Sequence, residues 1–409
     1  MSVPLQRVVV TGMGIVSCLG NTLDDVSAAL RAGRSRIERI DAWRERGFGS
    51  QVAGVASVAQ EPPFDRKLER FMGDTARFAC HAAKKAIDDA GLDLAALRLP
   101  HAGTVIGSGV GTMSSYDVSM SIANTRGADK VPPYTVPHAM SSTASANVAQ
   151  VFGLEGVSYS PSSACTTSAL AIGQAMQLIQ TGRQQIVLAG GSESLHDNMT
   201  LMFDAMGALS RNFNDTPQRA SRPYDTARDG FVIASGGGVL VLESLDHALA
   251  RGARIYAELT GFGDCTDRAG MVTPHAAGIA RAMRGALGEA GKRPDYVNTH
   301  APSTPLGDVE ELRALTAVFG DEVPAFSSTK GMTGHPLGAC GAHEAIYTLL
   351  MMRDSFIAGT TGIETPEPGV DGMPLVRTTR DARIGSAMSI SFGFGGSCAS
   401  LMFEGWQGG

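Results

Sequence analysis

Two successive rounds of the same alternation restrict this chain more than any other feature. Short apolar runs are followed by longer segments whose apolar residues recur at helical spacing. In the first round, 7–16, 102–109, 185–194 and 236–244 read as buried strands, and 75–91 and 168–182 as helices ended by Gly91 and Gly182. In the second, 254–264 is strand-like, 277–291 is a helix stopped by Gly291, and 295–305 is a strand running into a loop. A helix follows at 307–320, a buried apolar helix across 343–354, and two strands joined by a Gly-rich turn at 386–404. Strands alternating with helices imply an α/β protein with a parallel or mixed sheet and helical layers. The repetition suggests an internal duplication with a boundary near 250–255, giving halves 1–252 and 253–409. No Pro/Ser linker separates them, so they are expected to pack as one body. Residues 112–140 and 196–230 read as long, polar, irregular caps or interface segments.

Composition narrows the function. The 50 Gly among 409 residues favour layers whose backbones approach closely. A net charge of −6 gives no global excess to neutralise a phosphate backbone, so nucleic acid is not an expected partner. The six Cys form no C-x-x-C pair and no zinc-ligand spacing, and read as reduced thiols of a cytoplasmic protein. The apolar start, with its Gly residues, is a strand rather than a signal peptide. No stretch of about 20 apolar residues occurs, so no membrane span is expected.

Four segments carry residue types suited to chemistry. In SSACTTSALAIG (162–173), Cys165 sits where irregular chain enters a helix, and the helix dipole is expected to lower its pKa. In DYVNTHAPSTPLGD (295–308), His300 lies at the carboxyl end of a strand, where α/β sheets bind ligands. In SSTKGMTGHPLGACGAHEAI (327–346), Lys330 and His335 stand on a Gly-rich loop, while His343 reads as structural. In SFGFGGSC (391–398), glycines let backbone N–H groups approach a ligand, as in an oxyanion hole.

Together with RPYDTARDGFV (222–232), and in this order, these segments resemble the β-ketoacyl-acyl carrier protein synthases of the thiolase-like superfamily, nearest their type I branch. The resemblance spans nearly the whole chain. It implies a duplicated five-layered α/β/α/β/α fold and a homodimer without metal or other cofactor. Substrates would arrive on the phosphopantetheine of an acyl carrier protein. By this likeness Cys165 is the acyl-accepting nucleophile, and His300 and His335 complete a Cys-His-His set. Lys330 supports the second His and its surroundings, and Glu311 matches a carboxylate that helps organise the site. The N–H groups of Cys165 and Phe394 form the oxyanion hole, and Phe394, Gly395 and Gly396 belong to a gate loop. Val110, Phe231, Thr304 and Phe392 contact substrate. Arg66, Lys67, Arg70, Arg126 and Lys130 match or lie near a carrier-protein patch.

The implied reaction is decarboxylative condensation with a malonyl-carrier in fatty-acid elongation. Departures leave other readings: a ketosynthase of a specialised lipid, polyene or polyketide pathway, a thiolase, or a non-catalytic partner subunit. Ala301 and Pro302 replace the family's Gly and Thr, removing one hydroxyl that would hold the pantetheine arm. Cys398 replaces an Asn beside the gate, and Val110 implies a narrower acyl pocket than the type I branch has.

Overall fold

In the computed structural model, which describes residues 5–288 and 291–408, ten strands form one continuous sheet. The first half contributes β1 (Val8–Val16), β2 (Ala102–Gly107), β3 (Ser158–Tyr159), β4 (Ile186–Glu193) and β5 (Gly236–Ser244). The second contributes β6 (Ala257–Thr266), β7 (Tyr296–Asn298), β8 (Ala325–Ser327), β9 (Ser386–Gly393) and β10 (Ser397–Gly405). The order across the sheet is β8-β7-β9-β10-β6-β1-β5-β4-β2-β3. On one side of the β6–β1 seam, β2 is parallel to β3 and β4, and β5 is antiparallel to β4 and β1. On the other, β7 is parallel to β8 and β9, and β10 is antiparallel to β9 and β6. Strand order and sense therefore match on the two sides. The seam itself is short, with Val9 opposite Glu258 and Val10 opposite Ala257.

Six helices make the layers: α1 (Asp74–Ala90), α2 (Thr143–Phe152), α3 (Thr167–Gln180), α4 (Ala276–Leu287), α5 (Gly307–Phe319) and α6 (Cys340–Asp354). α1 and α2 cover one outer face, α4 and α5 the other, and α3 lies against α6 in the middle. Side-chain alternation along the strands shows why five layers result. Leu240 and Leu242 of β5 enter the central core with α3 and α6, while Val239 and Val241 enter the outer core with α1. In β10, Leu401 and Phe403 face the central core and Met402 faces α4. Such strands are apolar on both faces, which is why they read as continuous runs.

The outer helices approach their strands at glycines. A Cβ on Gly12 or Gly14 of β1 would lie 2.3 or 2.0 Å from the carbonyl oxygens of Ala86 and Ala82 in α1. On Gly261 and Gly263 of β6 it would lie 1.9 and 2.1 Å from those of Ala286 and Ala282 in α4. The same close packing thus recurs in both halves.

Three expectations need correction. Met113–Arg126 is a helix within the segment read as irregular. It buries none of its side chains, and Tyr116, Val118 and Met120 are exposed, so no apolar stripe marks it in the sequence. Asp197–Ala205 is helical as well, with Met199 buried but Leu201 and Met202 exposed. The helix expected to reach Gly291 ends at Leu287, because Gly288 (φ 60°) caps it first. Residues 289–290 of that expected span lie outside the described residues.

Gly14→Ala should lower unfolding stability by about 1–3 kcal/mol through overpacking. Gly270→Ala, whose Cβ would meet nothing closer than 3.9 Å, should change it by less than about 0.5 kcal/mol. Urea unfolding of both variants checks this; equal midpoints would contradict it.

Candidate active site

The turn before α3 is tight. Ala164 adopts φ 46°, the Thr166 N–H donates to Ser163 O (3.1 Å), and Thr167 Oγ1 accepts from Ser163 N (2.8 Å). Cys165 is thereby presented at the amino end of α3. His300 stands two residues beyond β7, its backbone held by Glu311, which accepts from His300 N (2.7 Å) and Ala301 N (2.8 Å). His335 is fixed as a rung against 232–234. Its N–H donates to Val232 O (2.7 Å) and its carbonyl accepts from Ala234 N (3.0 Å).

These three segments converge. His335 Nε2 lies 2.9 Å from Cys165 Sγ. The rings of His300 and His335 are 5.0 Å apart and nearly perpendicular. The sulfur and one nitrogen from each ring all lie within 4.8 Å of one another. They open on an apolar cavity of about 490 Å³, also lined by Val110, Phe231, Thr304, Phe392 and Phe394. Phe231 meets His335 edge-on at 5.4 Å, and Phe392 packs against His300 at 4.4 Å. Gly393 lets the loop carrying Phe394 lie against Cys165, since a Cβ there would be 2.8 Å from Cys165 N. Gly395 (φ 83°) donates its N–H to Met271 O (2.7 Å), and Gly396 (φ 73°) accepts at its carbonyl from Asp267 N (2.6 Å).

Lys330 and Glu311 lie behind the rings rather than on the cavity wall. The Lys330 ammonium is 3.4 Å from His300 Nδ1 and is paired with buried Glu344. The lysine expected to support the second histidine and its surroundings thus touches the first, and its charge still acts on both rings. Glu344 holds Lys330 charged, whereas burial pushes Glu311 up to about 8 against the pull of its backbone donors.

Burial also dominates the reacting groups. It holds both imidazoles well below their ordinary value, with Lys330 adding to the effect. The Cys165 thiol, expected to be acidified by the helix end, is instead pushed up to about 12. Removal from water outweighs both the helix dipole and the nearby Lys330 charge.

Several residues that organise the site are not singled out individually by the sequence, although Tyr224, Arg228 and Asp308 fall inside segments that carry the resemblance. Buried Glu193, at the end of β4, accepts from Ser108 Oγ (2.7 Å), Gly109 N (2.8 Å), Val110 N (3.3 Å) and Gly338 N (3.0 Å). Arg228 donates to the carbonyls of Thr304 (3.0 Å) and Pro305 (2.7 Å). Asp308 accepts from the N–H groups of Ser303 (3.2 Å) and Thr304 (3.1 Å). Tyr224 reaches Glu311 at 3.2 Å. A charge inside an apolar run, as with Glu344 in 343–354, was the signal available for that residue. The five non-Gly residues with positive φ among those described include Ala164, Tyr224, Ser303 and Leu337, all around this site. Strain of this kind costs about 1–3 kcal/mol each and concentrates at functional sites.

The basic residues lie outside the cavity. Arg66 and Lys67 sit on the short helix Arg66–Glu69, and Arg70 stacks over Phe71 and Tyr134. Arg70 O also meets His138 Nε2 (2.8 Å), which joins this segment to the one holding Arg126 and Lys130. Lys130 is paired with Asp129.

A half-buried thiol facing two buried imidazoles, at the carboxyl ends of strands from two like-ordered half-sheets, defines a thiolase-like condensing enzyme. The comparisons agree. Residues 5–248 match the beta-ketoacyl synthase N-terminal domain, and residues 256–364 its C-terminal domain. The chain belongs to the beta-ketoacyl synthase family. It is 47% identical to the 3-oxoacyl-[acyl-carrier-protein] synthase 1 of Haemophilus influenzae, over 99% of this chain and 100% of that one. It is 48% identical to the same-named protein of Escherichia coli, over 98% and 99%. Among solved structures, a beta-ketoacyl synthase from Burkholderia phymatum superposes with TM-score 0.93 at 36% identity, covering 98% of this chain and 100% of that one. No helix among the described residues is long and apolar enough to cross a membrane.

Because both imidazoles are held low, neither should titrate between about pH 6 and 8. NMR of ring-labelled histidine checks this. A signal from His300 or His335 moving through the ordinary imidazole range would contradict it.

Proposed function

We propose that the chain is a 3-oxoacyl-(acyl carrier protein) synthase of fatty-acid elongation, with Cys165, His300 and His335 as its catalytic residues. The observation that carries the reading is the meeting of that sulfur and both imidazoles at one cavity. Cys165 Sγ attacks the acyl thioester, the carbon–sulfur bond to the carrier breaks, and the thiol proton ends on the departing carrier thiol. The N–H groups of Cys165 and Phe394 hold the tetrahedral oxyanion, supported by the close approach that Gly393 allows. The malonyl group then loses carbon dioxide, leaving an enolate. Lys330 beside His300 Nδ1 leaves the ring proton on Nε2, where it can donate to the enolate oxygen. His335 Nε2 supplies the second donor once the sulfur is acylated. The enolate carbon attacks the acyl carbon, the bond to Cys165 breaks with its electron pair going to sulfur, the sulfur takes a proton from water to restore the thiol, and 3-oxoacyl-carrier leaves.

Val110, Phe231, Thr304 and Phe392 form the walls that hold substrate, and Val110 narrows the acyl end. The phosphopantetheine arm brings the substrate, and the residues invoked need no metal. Arg66, Lys67, Arg70, Arg126 and Lys130 are the docking patch for an acidic carrier, whose encounter they would steer by charge. The chain works as a homodimer, a reading supported by exposed Tyr116, Val118, Met120 and Val136 on helices that pack against each other. Its six unpaired thiols suit the cytoplasm. Residues 1–252 and 253–409 are its two duplicated halves, a division supported by the matching strand order.

Cys165→Ala should abolish condensation. His300→Ala or His335→Ala should slow malonyl decarboxylation by about 10²–10³ while Cys165 still accepts acyl groups, read by carbon dioxide release and intact mass. Unchanged decarboxylation in either variant would sink the assigned roles. Arg66→Glu with Arg70→Glu should raise KM for carrier-borne acyl groups but not for a small-molecule thioester. Equal KM changes for both substrates would remove the patch from docking.

A further inference from the structure

Cys398 and Cys265 stand directly opposite each other on the antiparallel strands β10 and β6. Both side chains meet the same apolar cluster against α4, so they share a face of the sheet. Directly opposed residues in antiparallel pairs have Cα atoms about 4.5 or 5.5 Å apart, and disulfides span about 4.4–6.8 Å. The Asp267–Gly396 hydrogen bond two residues along makes this a hydrogen-bonded rung, whose Cα spacing of about 5.5 Å lies inside the disulfide range, so that closing the bond draws the two Cβ atoms together. Cys265 is partly exposed and Cys398 is buried. That arrangement gives a reagent one thiol and keeps the second beside it.

The next rung, Ser397 opposite Thr266, is the last before two loops leave the ladder. One loop carries Phe394–Gly396, the other Asp267–Met271. They are tied by Asp267 N to Gly396 O (2.6 Å) and Gly395 N to Met271 O (2.7 Å). Cys398 Sγ also lies 3.7 Å from Gly396 O. We propose that Cys265 and Cys398 are a reversible redox pair whose disulfide stiffens the common base of these loops.

The oxidant is a peroxide. The Cys265 sulfur takes one peroxide oxygen to give a sulfenic acid, releasing water. The Cys398 sulfur then attacks that sulfur, the sulfur–oxygen bond breaks, and a second water leaves with the Cys398 proton. Two thiols and one peroxide thus give one disulfide and two waters, and a small dithiol reverses the step by exchange.

The test uses the full chain carrying Cys165→Ala and Cys18→Ala, which removes the other two partly exposed thiols without depending on any catalytic role. After mild hydrogen peroxide treatment, peptide mapping should show a 265–398 crosslink and the loss of two hydrogens, restored by dithiothreitol. Amide hydrogen exchange at 266–271 and 394–398 should slow in the oxidised form. Neither change should occur with Cys398→Ser or, should that variant fold poorly, with Cys265→Ser. Oxidation of Cys265 to sulfinic acid without a crosslink would overturn the proposal, as would a crosslink that leaves exchange at both loops unchanged.

Discussion

A carboxylate that meets no cation among the described residues holds the centre of this molecule together. Glu193 is fully buried, and a buried carboxylate is tolerated only where donors fill its lone pairs. Here the donors come from two places far apart in the chain: the turn after β2 and the Gly338 turn before α6. Each turn reaches the carboxylate only if the two half-sheets are correctly stacked. Gly338 is required where they touch, since a Cβ there would lie 2.3 Å from Gly109 N. The positions of Cys165, on the turn before α3, and His335, just before Gly338, follow from that closure.

Behind the cavity a second buried set makes the electrostatics. The Lys330–Glu344 pair brings a positive charge close to His300 without leaving it uncompensated. Removing one member of such a pair costs about 3–5 kcal/mol, so the charge is a fixed feature of the site. Its field and the dry surroundings act in the same direction on both rings, keeping them uncharged and one proton each. The thiol feels opposing influences, and dehydration wins. The site therefore favours neutral donors over a standing thiolate.

Much of this was legible in the chain. Runs such as 236–244 and 386–404 are apolar on both faces because they lie between helical layers, and they declared themselves as strands. Cys165, His300 and His335 stood out because polar reactive groups sat at strand ends and turns. What escaped was whatever depends on a partner distant in sequence. The helix Met113–Arg126 buries nothing, so it has no periodic stripe to read. Glu193 looks like an ordinary surface charge until the fold buries it. The thiol's rise was hidden for the same reason, since a helix end is local and dehydration is collective. Gly288 ended its helix before Gly291 could, and two glycines three apart offer equal stops on paper.

The matching strand order has an outcome for how such a protein can change over time. The sulfur belongs to one copy of the pattern, while the imidazoles and the lysine belong to the other. On the proposed roles neither half holds all the reacting groups, and the cavity that receives substrate is walled by both, with Val110 and Phe231 from the first and Thr304 and Phe392 from the second. A shift in preferred cargo would therefore have to be met on both sides of the seam, because one wall residue, Phe392, leans directly on an imidazole.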